Sequence, residues 1–185
     1  MIRRPPRSTQ GVSSAASDVY KRQWYIERPT DQISEINIFP ESEDVKTDKA
    51  QLSFKREKDG TWRVIDYLVG KESRLVDEEK WQQLLPIVKG PDGVDVAVHK
   101  VRDRDYSQWG IGDNSAAVEI RFQNTTEQGT KYTDGSLLLI GDLEPGGEAY
   151  YGKSAEEGIT QPVLLFPKIW VETLLGIYDD IPYAQ

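Results

Sequence analysis

The sequence predicts an α+β fold: an antiparallel, strand-rich body with two helices. Three observations predict it. Several runs alternate apolar and polar residues at strand period, an Asp-Gly pair separates two of them, and two stretches carry apolar residues at helical spacing, each after several strands.

Ile33, Ile36 and Ile38 make an apolar stretch that ends at Pro40, read as a first strand. Glu41 to Lys49 is charged and aperiodic, hence a loop. Leu52 and Phe54 alternate with Ser53 and Lys55, and Trp62 and Val64 flank Arg63. Asp59-Gly60 between them signals a hairpin, because both residues tolerate the positive φ of the tight turn. A first helix follows over about 77–89. Asp77 can cap its free amides, Glu78 and Glu79 suit its positive end, and Val76 and Trp81 have staple spacing. Trp81, Leu84, Leu85 and Val88 form one apolar face, and Pro86 is expected to bend or end the helix near Leu85.

Gly90 to Gly93 reads as a turn, and Val94 to Arg104, with Val94, Val96, Val98 and Val101, as an edge strand. Trp109-Gly110-Ile111-Gly112-Asp113 is a tight segment before the next strand, where Val118, Ile120 and Phe122 alternate with polar residues. Leu137 to Ile140 is a short apolar strand closed by Gly141-Asp142. Ala149-Tyr150-Tyr151 and Val163 to Phe166 are two more, the first after a Pro145-Gly146-Gly147 turn. Pro167 suits the first turn of a second helix over about 167–176, with Trp170, Leu174 and Tyr178 as its stripe. At an offset of 90, Trp81, Leu84, Leu85 and Ile87 fall on Val171, Leu174, Leu175 and Ile177. Two β-β-β-α halves, 33–93 and 94–185, each closed by its helix, are an economical arrangement.

In order, these segments resemble the family called domain of unknown function 4340. Asp59 to Val64 is similar to its Trp-bearing hairpin, and Tyr106 to Ile111 to its loop ending in an aromatic-Gly-Leu motif. Val118 to Phe122 with Leu137 to Asp142 is similar to its strand pair ending in Gly-Asp; Ala149 to Gly152 and Val163 to Phe166 are similar to its later strands. The likeness covers most of residues 33–181. Gly112-Asp113-Asn114 departs from the Asp-Pro-Pro usual there. The resemblance implies a bacterial protein with one N-terminal membrane helix and an extracytoplasmic body, no enzymatic activity and no cofactor. Some such proteins resemble auxiliary subunits of gliding-type transport systems, so the partners implied are proteins, membrane transport components among them.

The first 23 residues stand apart. Ser13 to Gln23 matches, codon for codon, the in-frame translation of a transposase-type sequencing adapter. Met1 to Thr9 matches a flow-cell adapter, and Gln10-Gly11-Val12 fills the index gap between them. Residues 1–23 are therefore read as an adapter-derived, disordered artefact without packed contacts. Residues 24–32 are read as a linker that begins with a membrane-helix exit, since Trp24-Tyr25 followed by charge and proline is interfacial in character. From Trp24 onward there are 18 basic against 30 acidic residues, a net charge of −12. Such a surface repels nucleic acid and anionic lipid, which leaves a lost N-terminal helix as the membrane contact.

The chain has no cysteine and one histidine, His99. That histidine lies among alternating valines without a partner at metal-ligand spacing and reads as a solvent-facing strand residue. Asp103, Asp105 and Asp113 form the carboxylate group worth naming. Arg102 and Arg104 interrupt any calcium-loop pattern, while Asp103 and Asp105 could serve as a hydrolase pair across a cleft. Gly110-Ile111-Gly112 and Gly146-Gly147 lack the spacing of nucleotide loops. Asn124-Thr125-Thr126 fits a glycosylation acceptor. Trp62, Trp81 and Trp170 sit on apolar faces and are expected in the core. Trp109, in a loop, is the aromatic residue open to a ligand or partner role together with Asp103 and Asp105. Three readings follow: a non-enzymatic, membrane-anchored, extracytoplasmic (periplasmic) domain that contacts protein partners; a ligand- or glycan-binding module around Trp109; and a hydrolase using Asp103 or Asp105.

Overall fold

The computed structural model describes residues 28–41, 51–101, 105–155 and 161–184. The expectations for residues 1–23, for Trp24 to Glu27, for the loop beyond Glu41 and for Asp103 lie outside the described residues.

The described chain forms nine strands and two helices. The first four strands are β1 (Ile33–Phe39), β2 (Leu52–Arg56), β3 (Trp62–Asp66) and β4 (Ser73–Leu75), followed by α1 (Glu78–Val88). Then come β5 (Asp95–Val98), β6 (Ala116–Thr125), β7 (Lys131–Leu143), β8 (Ala149–Ser154), β9 (Val163–Pro167) and α2 (Lys168–Gly176). All the strands join one sheet in the order β4-β3-β2-β1-β6-β7-β8-β9-β5, and every pair is antiparallel. The expected α+β class is the observed one.

Local chemistry sets the turns and helix ends. Gly60 adopts φ 92°, and the Asp59 carboxylate accepts a hydrogen bond from the Thr61 amide at 3.0 Å, closing the β2–β3 hairpin. Asp77 caps α1 by accepting from the Lys80 amide at 3.0 Å, and Val76 and Trp81 are both buried as a staple. Pro86 does not end the helix, which continues to Val88. It removes one backbone donor in the last turn, while Val88, wholly buried, anchors the helix end in the core.

One face of the sheet carries the core. Ile36, Ile38, Leu52, Phe54, Val64, Val118, Ile120, Leu138, Ile140, Leu164 and Phe166 are buried there under Trp81 and Val88 of α1 and Trp170, Val171 and Leu174 of α2. Trp81 stacks on Phe54 with ring centroids 4.4 Å apart and meets Trp62 at 5.1 Å; Trp170 meets Phe166 edge-on at 5.3 Å. These three tryptophans are core residues, as their apolar faces predict.

The two halves are contiguous blocks of this sheet. β1 to β4 form a meander followed by α1, and β6 to β9 form a second followed by α2. With β5 set aside, the strand order is a palindrome about the β1–β6 pair, and the offset of 90 carries α1 onto α2. Each meander has four strands rather than three. β4 is short and fully exposed, without an apolar signal, and β7 begins six residues before its apolar run, in the polar stretch from Lys131.

β5 breaks the palindrome. It lies at the sheet edge beside β9, while the next strand, β6, lies beside β1. The connection between them must cross β9, β8 and β7. It does so on the sheet face opposite the helices, where Val101, Tyr106 and Ile111 bury themselves with Val163. Val98, Trp109, Leu139 and Tyr151 pack against that second core. Leu139 and Tyr151 alternate along their strands with residues of the helix-covered face, which fixes them on the outer face. This crossing segment is called the strap.

Candidate functional site

The described part of the strap contains two of the residues that the sequence singles out, Asp105 and Trp109. Asp105 comes first. Its carboxylate accepts from the Ser107 amide at 3.0 Å and the Ser107 hydroxyl at 2.6 Å, which starts a single 3-10 turn from Ser107 to Trp109. These two hydrogen bonds hold the Asp105 carboxyl below the usual carboxylate range, and the residue is fully exposed. Tyr106 points inward, and its hydroxyl donates to the Gln161 carbonyl at 2.8 Å. The Lys153 ammonium lies 4.3 Å from the Tyr106 ring centroid, and burial pushes the Lys153 pKa down. Trp109 is half-buried, tilted against Tyr106 at 6.2 Å.

Gly110 then turns the chain with φ 68°. The Ser115 hydroxyl donates to the Gly110 carbonyl at 2.9 Å and accepts from the Gly112 amide at 2.8 Å, pinning the turn before β6. Here the strap presses on β7. A Cβ at Gly141 would overlap the Trp109 carbonyl and come within 2.6 Å of Ile111 Cγ1; a Cβ at Gly110 would overlap the Asp142 carboxylate. Trp109-Gly110-Ile111 and Gly141-Asp142, two of the motifs that carry the family resemblance, are therefore one contact.

The strap brings Asp105 and Trp109 onto the same turn, but the Trp109 ring faces Tyr106 and the Asp105 carboxylate faces Ser107. Asp113 is exposed in the turn that precedes β6, and His99 is exposed one residue past β5. Asn124, the glycosylation candidate, accepts from the Arg28 guanidinium at 2.9 Å, and its own amide nitrogen is buried. Among the described residues, no group of three or more His, Cys, Asp or Glu side chains could hold a metal ion.

Sequence reasoning missed two features. One is an open hollow of about 380 Å³ where the strap turns into β6, lined by Glu41, Ala116, Ile140, Asp142, Tyr150 and Tyr178 among others. Its residues come from five separate segments, and only the Gly141-Asp142 strand end hinted at it. The other is the β3–β4 turn, where Tyr67, Leu68 and Val69 are exposed at 40%, 66% and 87%. Its signal was available: three consecutive apolar residues before Gly70, between strands.

The opposite half of the outer face is polar. Asn37 is buried and donates from its amide nitrogen to Glu35 at 3.1 Å and to Glu119 at 2.9 Å. Arg121 pairs with Glu119 at 2.8 Å and Glu35 at 3.7 Å, and Lys55 with Glu35 at 3.8 Å. The Glu119 hydrogen bond raises the Arg121 pKa further, so the guanidinium stays charged. Cross-strand register places these groups side by side, and each carboxylate already has cationic or amide partners.

Compared with family models, curated proteins and solved structures, the chain has no match.

Proposed function

We propose that this chain is the extracytoplasmic body of a membrane-anchored bacterial protein, one that works without catalysis by contacting a protein partner such as a transport or gliding-type component. The observation that carries the reading is the apolar β3–β4 tip. The Asp66 carboxylate accepts from the Leu68 amide at 2.9 Å and the Val69 amide at 3.4 Å, and the Gly70 amide donates to the Asp66 carbonyl at 3.1 Å. These hydrogen bonds hold the turn backbone with two aliphatic side chains, Leu68 and Val69, exposed. Turn tips are ordinarily polar, and a fixed apolar run facing water is a feature of contact surfaces.

Its position fits a tether. The chain enters the sheet at Arg28 and Ile33, beside Phe122 and Asn124. The tip follows Asp66, which lies across from Leu52 and Ile38 at the other end of β1. An anchor before Arg28 and a partner at Leu68 would sit about 20 Å apart along the strand. The packing of Trp109 against Tyr106 and the use of Asp105 as a turn cap support this reading over a glycan groove or a hydrolase pair.

The test is site-specific photo-crosslinking in membranes of the source cells, with a photoreactive residue at position 69 and a control at the exposed Lys58. A discrete protein adduct from 69 alone is expected. Equal adducts from both positions, or none from 69, would sink the proposal.

A further inference from the structure

The hollow at the end of the strap has a defined chemical character. Ala116 and Ile140, both buried, form its floor with Leu175. Tyr150 and Tyr178 stand at its walls, and the Tyr178 hydroxyl donates to the Ile38 carbonyl at 2.8 Å, which fixes that ring in place. Glu41 and Asp142 are exposed at its rim, and neither has a hydrogen-bond or ion-pair partner among the described residues. On the outer face, by contrast, Glu35 and Glu119 are both paired.

We propose that this hollow binds an organic cation: a guanidinium or ammonium head on a short aliphatic stem. Two carboxylates without counter-ions among the described residues supply the charge, and tyrosine rings attract a cation lying over their faces. The apolar floor takes the stem. A volume of about 380 Å³ is ample for such a group. The net charge of −12 beyond residue 23 adds a long-range attraction for cations. The source is either an Arg or Lys side chain on another protein or a free amine; the inference does not depend on the partner proposed for the Leu68 tip.

The experiment is a titration of the labelled full chain, followed by amide chemical shifts. The probes are argininamide and its uncharged isostere citrullinamide, both Nα-acetylated so that only the guanidinium carries charge, an end-blocked arginine peptide and putrescine. Argininamide is expected to saturate in the millimolar range, on the order of 1–10 mM, shifting Gly141, Asp142 and Tyr150. Citrullinamide should bind at least about tenfold more weakly, and the Glu41→Gln/Asp142→Asn variant should lose about tenfold for argininamide, a step equivalent to one charge-assisted contact. Tighter binding of the blocked peptide would identify a protein-borne cation; tighter binding of putrescine, a free amine. Absence of localised shifts with argininamide, or equal binding of citrullinamide to the unaltered chain, would overturn the inference. So would unchanged affinity in a folded double variant. The citrullinamide comparison needs no substitution, so it decides the matter even if the variant fails to fold.

Discussion

The outer face of the sheet is two surfaces. Over β7, β8 and β9 it is apolar and covered, with Leu139, Tyr151 and Val163 beneath Tyr106, Trp109 and Ile111. Over β1, β2 and β6 it is polar and no described segment crosses it, with Asn37, Glu35, Lys55, Glu119 and Arg121 linked across strands. Both surfaces back onto the same helix-covered core. The difference follows from connectivity. β1 to β4 succeed one another as neighbours, so no described segment crosses their outer face; β5 and β6 lie four places apart in the sheet, so the chain between them must cross. A crossing segment stays down only where it finds apolar surface, and an uncrossed face stays soluble only where it is polar. The comparison therefore predicts unequal sensitivity: the strapped face depends on close packing, and the open face on modest polar links.

The largest effect tests the closest approach. Gly141→Val places a side chain against the Trp109 carbonyl, which is backbone and cannot rotate away. The strap must lift or β7 must bend, and a loss of about 3 kcal/mol or more is expected in urea unfolding, as for severe overpacking. A stable Gly141→Val protein with an unchanged Trp109 environment would break the account of the strap.

Next is Trp109→Ala. A half-buried indole packed on a second core should cost about 2 kcal/mol, below the range for a fully buried tryptophan. A residue held for a ligand groove would cost almost nothing, so urea midpoints separate the two roles. On the open face, Asn37→Ala removes the amide that donates to both Glu35 and Glu119, leaving two half-screened carboxylates facing each other. About 1 kcal/mol is expected, the scale of a polar link beside partly exposed charges. If Asn37→Ala proved costlier than Trp109→Ala, the contrast between the faces would be reversed.

What could be read from the sequence divides along the same line. The helix-covered face was legible because its signals are local: the Leu52–Phe54 and Trp62–Val64 alternation around Asp59-Gly60, and the Asp77 cap with its Val76–Trp81 staple. Core placement of Trp62, Trp81 and Trp170 followed from their neighbours. The strap was legible only as a tight segment, because its meaning depends on which strand lies under it, and strand order is not a local property. Gly141 reads as a strand end until Trp109 is known to lie against it. The hollow joins Glu41, Ala116, Asp142 and Tyr178 from distant positions, beyond any spacing argument. β4 and the first half of β7 were illegible because they are held by backbone pairing with exposed, polar side chains.

The smallest effect concerns acid. The Ser107 hydroxyl and amide hold the Asp105 carboxyl below its usual pKa in the folded chain. A depressed folded pKa means that the carboxylate stabilises the fold above its unfolded value, near 3.9. That contribution is lost as pH falls through the lower folded value. Asp59, held by Thr61, and Glu144, held by the Glu148 and Gly146 amides, titrate in the same sense. Asp59 and Asp105 are exposed and Glu144 lies in a surface turn, so the effect is slight and local rather than a global collapse. Asp105 alone lies on the strap, which allows its share to be isolated. Hydrogen exchange of the Ser107 and Trp109 amides, corrected for intrinsic rates, should show less protection at pH 3 than at pH 6. Asp105→Asn keeps an acceptor for Ser107 but cannot titrate, so its strap amides should lose that pH dependence while the Asp59 turn retains its own. Equal pH dependence in both proteins would mean that the strap is held by Tyr106 and Ile111 alone. Asp105 would then cap a turn that needs no cap.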